Sequence, residues 1–189
     1  MLKMRRSLLT IIFISLLSFT AAHAYAEDAV IDKVVITRDR DLLISFEVTN
    51  AFTSEVEEAI ASGIPTSLAF TVELHRKRKL WFDRGVVKHH FRHTVKYDTL
   101  REEYSIVFEE SGRESVVSKE LSIAQNMMTT VKKLQLIPLG DLKSGERYRI
   151  ALQVKRDAAH LPFPLNRLLF FISFGSFKTE MYVEEFVYE

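Results

Sequence analysis

Apolar and polar positions alternate along much of the chain. From Thr66 to Arg76, Leu68, Phe70, Val72 and Leu74 share one face while Thr71, Glu73 and His75 share the other. Successive strand side chains point to opposite faces, so this period of two predicts a half-buried strand. Val86 to Tyr97 alternates likewise, with Val87, His89, Phe91, His93, Val95 and Tyr97 set against Lys88, His90, Arg92, Thr94 and Lys96. Leu80-Trp81-Phe82 reads as the start of this partner strand. Val30 to Thr37 and Leu42 to Thr49 are β-branched and aromatic runs around Arg38-Asp39-Arg40-Asp41, which predicts a hairpin. Glu103 to Glu109, Arg113 to Ser118, Arg147 to Lys155 and Thr179 to Tyr188 supply further strands.

The period changes twice. In Asn50 to Gly63, Val56 and Ile60 lie one helical turn apart, Ser54-x-x-Glu57 has the form of a capping box, and Gly63 and Pro65 end the segment. Leu121, Ala124, Met128 and Val131 fall on one face of a second helix, with Ser122-x-x-Gln125 as its cap. Leu161-Pro162-Phe163-Pro164 is irregular, because Pro fixes φ and removes a donor. Leu165 to Phe171 reads as a helical turn. About eight strands and two short helices in connections predict a mainly β protein. The expected architecture is an antiparallel β-sandwich, immunoglobulin-like, or a partly closed barrel.

The first 26 residues have a different pattern. Lys3, Arg5 and Arg6 precede an apolar run from Leu8 to Phe19, and small residues come next at Ala22, Ala24 and Ala26. This is the layout of a secretory signal peptide, with cleavage after Ala24 or Ala26. Its apolar core is about a dozen residues, whereas a spanning helix needs about 20. The expectation is therefore a cleaved signal over residues 1–26, a single domain over 27–189, and a periplasmic location.

Composition then narrows the chemistry. Cysteine is absent, so disulfides and thiolate metal sites are excluded. The six glycines are scattered, which excludes a phosphate-cradling loop. Loss of Lys3, Arg5 and Arg6 takes the formal charge from +1 to −2. Positive charge then concentrates in His75-Arg76-Lys77-Arg78-Lys79, ahead of Leu80-Trp81-Phe82. In an exported protein such a run meets anionic lipid or an acidic envelope protein rather than nucleic acid. Arg76, Lys77, Arg78, Lys79 and Trp81 are the candidate interaction patch; a solvated hairpin tip is the plainer reading of the same residues.

Other candidates carry less. His89 and His93 lie about 13 Å apart along one strand face, too far for one zinc ion, and His90 points the other way. A shared site requires His75 to lie opposite one of them. Adjacent acids at Glu57-Glu58, Glu102-Glu103, Glu109-Glu110 and Glu184-Glu185 do not make a hydrolase pair: sequence neighbours in a strand point to opposite faces, whereas hydrolase carboxylates face one another. No nucleophile elbow or metalloprotease helix motif occurs. Leu168 to Phe177 is a dense apolar segment whose default role is core.

Several pieces in order resemble a known family. They are Leu43-Ile44-Ser45-Phe46, the helix ending Gly63-Ile64-Pro65, and the basic strand-turn-strand from Leu74 to Trp81. Tyr97-x-x-Leu100 with Tyr104, Leu139 to Tyr148, and Leu161-Pro162-Phe163-Pro164-Leu165 before an aromatic tail complete the set. Together they resemble an exported bacterial family of unknown function, the one numbered four thousand three hundred and ninety. The resemblance implies a periplasmic location and transfers no activity, cofactor or catalytic residue.

The leading expectation is a non-enzymatic periplasmic interaction module that binds an envelope protein or an anionic lipid surface, with no cofactor, metal or nucleic acid. A carrier for a lipid or other apolar ligand is one alternative; it predicts a cavity among Phe70, Phe91, Phe108 and the segment from Phe170 to Phe177. An uncharacterised enzyme is the other; it predicts convergent polar groups with perturbed pKa in a cleft.

Overall fold

The computed structural model describes residues 28–112, 114–156 and 176–189. Strands β1 (Val30–Arg38), β2 (Asp41–Thr49) and β7 (Thr130–Pro138) form a three-stranded antiparallel sheet in the order β1-β2-β7. The larger sheet contains β3 (Thr66–Arg76), β4 (Arg84–Asp98), β5 (Glu103–Phe108), β6 (Glu114–Ser118), β8 (Arg147–Arg156) and β10 (Tyr182–Val187). Its order is β10-β8-β3-β4-β5-β6, and the two-residue strand β9 (Phe177–Lys178) pairs with the end of β8. Helices α1 (Ser54–Ala61) and α2 (Leu121–Thr129) lie in connections. The sheets are antiparallel throughout and do not close into a barrel.

The alternation read from the sequence places the core. Leu68, Phe70, Val72 and Leu74 of β3 are fully buried, as are Leu42 and Ile44 of β2 and Ile150, Leu152 and Val154 of β8. Phe46 of β2 meets Phe70 of β3 across the two sheets, with ring centroids 6.0 Å apart. Phe70 in turn stacks on Phe91 of β4 at 5.1 Å. Apolar faces from both sheets thus merge into one cluster, the largest favourable contribution available to a chain without disulfides.

Three expectations are corrected. Leu80-Trp81-Phe82 does not open the partner strand; β4 begins at Arg84 and the three residues form an exposed loop. Val131 does not continue the second helix, because α2 passes directly into β7 at Thr130. The capping boxes are not formed either. The N-caps are Thr53 and Glu120, and neither makes a side-chain cap hydrogen bond. Instead Gln125 Nε2 donates to Glu57 Oε1 at 2.7 Å, so the two residues expected to cap separate helices tie α1 to α2. The stop signal at Gly63 holds: its φ of 80° is in the left-handed region that glycine tolerates. Residues 1–26, read as a signal peptide, and the expected Pro-rich turn at 161–165, helical turn at 165–171 and most of the apolar segment at 168–177 lie outside the described residues.

On edge strand β10, Tyr182 Oη donates to Glu184 Oε2 at 2.6 Å. This bond, aided by burial and the carboxylate charge, pushes the phenol up to about 12 from its usual 10. A raised folded pKa means that the bond's contribution to stability is intact below about 10 and is lost as pH rises through about 12. Ultraviolet difference titration of the protein against Tyr182→Phe is expected to show one tyrosine ionising near 12; in Glu184→Gln it should move back toward 10.

Candidate interaction site

The β3–β4 loop is held at its two stems. Arg76 and Arg84 are cross-strand partners at its base. Just beyond, Lys77 N donates to Arg147 O at 2.8 Å and Lys77 Nζ pairs with Glu185 Oε1 at 2.9 Å. At the other stem Asp83 pairs with Arg149 at 3.1 Å. Residues 78–82 project between these anchors. Leu80 is 91% exposed, Trp81 77% and Phe82 94%, and Arg78 and Lys79 beside them are exposed too.

The structure therefore divides the patch expected from sequence. Arg78, Lys79 and Trp81 share the projecting loop. Lys77 is drawn back to β10, its charge partly neutralised by Glu185. Arg76 continues the inward-facing series Phe70, Val72 and Leu74 of β3, at the open end of the sandwich. Leu80 and Phe82 join the loop's apolar tip, although their composition predicts a strand. Arg84 and Lys143 carry no signal in the linear sequence. They line, with Arg76, Asp141 and Tyr148, a recess of about 240 Å³ at the base of the hairpin.

The histidines do not converge. His75 stands opposite Gly85, His89 opposite Val72, and His93 opposite Leu68. His75 Nε2 instead meets Glu73 Oε2 at 2.8 Å, and Lys88 Nζ meets the other oxygen of Glu73 at 2.7 Å. These hydrogen bonds, that from Lys88 foremost, hold the Glu73 carboxyl below its usual range. His93 is buried, with Nδ1 2.9 Å from Met128 O and Nε2 2.7 Å from Glu110 Oε1. Its ring fills the space among Phe70, Phe91 and Phe108, at 4.6, 5.7 and 4.8 Å between centroids. Among the described residues no group of three or more His, Cys, Asp or Glu could hold a metal ion.

His89 also borders a second cleft of about 490 Å³, between β4, the turn at Glu109–Ser111 and β7. Its Nε2 is buried there without a hydrogen-bond partner among the described residues. Among the described residues, no helix is long and apolar enough to cross a membrane.

The fold and the hairpin define an antiparallel two-sheet protein with an apolar, basic-flanked loop. A family model, described as a domain of unknown function (DUF4390), matches residues 26–185. The chain belongs to this family. No curated protein and no solved structure is significantly similar to it.

Proposed function

We propose that the protein is a non-enzymatic periplasmic interaction module that docks peripherally on an anionic membrane surface through the β3–β4 loop. The observation that carries this reading is the exposure of three consecutive large apolar side chains, Leu80, Trp81 and Phe82, beside Arg78 and Lys79. Large exposed apolar groups rimmed by polar residues mark interaction sites. Tryptophan and phenylalanine suit the boundary between headgroups and acyl chains. Each Lys or Arg near an anionic leaflet adds about 1 kcal/mol. The one acid of the loop, Asp83, is paired with Arg149 at the stem. The export signal read from residues 1–26 supplies the compartment.

Trp81 is the only tryptophan of the chain, so its emission reports on the loop alone. Vesicles containing phosphatidylglycerol are expected to shift that emission to the blue, and zwitterionic vesicles to leave it in place. Arg78→Ser/Lys79→Ser should weaken binding by about thirtyfold at low salt, given about 1 kcal/mol per cation, and Leu80→Ser/Phe82→Ser should abolish the shift. Emission that stays fixed with every vesicle composition would overturn the membrane reading. An envelope protein that protects Trp81 where vesicles do not would replace it.

A further inference from the structure

The recess beneath the loop has a feature that the tip lacks. Arg76 and Arg84 face each other directly across the β3–β4 ladder, and Tyr148 faces Arg76 across the β3–β8 ladder. Cross-strand partners share a face of the sheet. Tyr148 is buried in the core, so this three-strand row lies on the inner face, at the end of the sandwich. The connection from β7 to β8 forms the opposite wall, with Asp141 at the end of the 3-10 turn Leu139–Asp141 and then Lys143. Lys143 N donates to Tyr148 Oη at 2.8 Å, which fastens that wall to the row.

Like charges placed directly opposite on a ladder are destabilising. A protein usually relieves such a pair with a carboxylate. Here none of Arg76, Arg84 and Lys143 makes an ion pair among the described residues. The neighbouring acids are committed elsewhere: Asp83 to Arg149 and Glu185 to Lys77. Three cations against Asp141 leave a formal charge of +2 around one small recess. The volume of about 240 Å³ is below that of pockets for drug-sized ligands and suits a small anion.

We propose that this recess binds a phosphate monoester, with the Arg76 and Arg84 guanidinium groups on its oxygens and Lys143 as a third donor. Guanidinium forks match phosphate geometry in pairs of hydrogen bonds, and a doubly charged monoester balances the +2 left by these side chains. The inference rests on the membrane-docking reading insofar as the monoester is a lipid headgroup. The recess then selects the headgroup while Leu80, Trp81 and Phe82 enter the interface. A soluble sugar or glycerol phosphate offers the same chemistry.

The test uses phosphatidic acid vesicles, phosphatidylglycerol vesicles of matched surface charge, and glycerol 3-phosphate in solution. Wild type is expected to bind phosphatidic acid about tenfold tighter than phosphatidylglycerol, with glycerol 3-phosphate competing for the difference. Arg76→Gln/Arg84→Gln should bring the ratio to about one, while the Trp81 shift is still reached on phosphatidylglycerol at saturating lipid. Relief of the like-charge pair should leave this variant's melting temperature equal to wild type or about 1–2 °C higher, which shows that it is folded. Vesicle binding without headgroup preference, and no response to glycerol 3-phosphate, overturns the inference and leaves the docking reading standing. Glycerol 3-phosphate binding that needs Arg76 and Arg84, without any vesicle binding, supports the recess, assigns it a soluble ligand and overturns the docking reading.

Discussion

Phe70→Ala is expected to cost about 3–5 kcal/mol of folding stability, the range for deleting a buried ring. The ring is fully buried at the centre of the larger sheet. It meets Phe46 of the smaller sheet at 6.0 Å, Phe91 at 5.1 Å and His93 at 4.6 Å. Its removal therefore opens a cavity where the two sheets meet, bordered by two phenylalanine rings and an imidazole that cannot all collapse inward. No disulfide limits the unfolded chain, because cysteine is absent. Against a typical total of about 5–15 kcal/mol, such a loss is a large fraction of the whole. Thermal unfolding monitored by circular dichroism should show a midpoint lowered by roughly 6–20 °C for a chain of this size. Phe70→Leu should lie between the two, since it keeps the apolar character and part of the volume. A midpoint for Phe70→Ala within about 2 °C of wild type would show that the intersheet contact contributes little.

The centrality of Phe70 is legible in the sequence because its strand alternates without interruption and both ladder partners of β3 run straight past it. Where alternation breaks, legibility ends. The start of strand β7 reads as the end of a helix because Val131 lies three residues after Met128, at helical spacing, and no glycine or proline separates the two elements. Its register against β2 shifts twice, between Leu42 and Leu43 and between Ile44 and Phe46, so its burial does not keep a simple period of two. Leu80-Trp81-Phe82 misleads for the converse reason. A strand-like composition records only suitability for a half-buried surface, and here nothing among the described residues covers the three side chains. The capping boxes fail because a Ser-x-x-Glu spacing does not reveal that a residue distant in sequence, Gln125, competes for Glu57.

The candidate site is legible only in its local half. A run of four cations beside a tryptophan stands out in any linear reading. The recess beneath it does not, because Arg84 lies eight residues from Arg76 and Lys143 far beyond both. Bringing them together depends on pairing register, and a slip of one residue would send Arg84 to the opposite face. The histidines show the same dependence: spacing separates His89 from His93 along one strand, but only the register places His75 against Gly85.

His93→Leu is expected to cost about 1.5–4.5 kcal/mol although leucine fills much of the same space. About 1–3 of this comes from a buried acceptor left without its donor, and about 0.5–1.5 from lost ring contacts. Met128 O at the end of α2 can only accept, so Nδ1 carries a hydrogen toward it. On the other side of the ring one proton lies between Nε2 and Glu110 Oε1. His93 thus fastens the last turn of α2 and the turn after β5 to the inner face of β4, and its substitution releases both at once. The two partners respond differently when the bond between them is lost. The Glu110 side chain is 22% exposed and can turn to water, whereas His93 is 1% exposed and Met128 is buried with it. Glu110→Gln should therefore cost less than about 1 kcal/mol, because an amide can still bond Nε2. Urea unfolding of both variants and the double variant measures this asymmetry. Equal losses from His93→Leu and Glu110→Gln would place the strength of the arrangement in the carboxylate; a large loss from His93→Leu alone places it in the bond to the α2 carbonyl and in the aromatic packing around the ring.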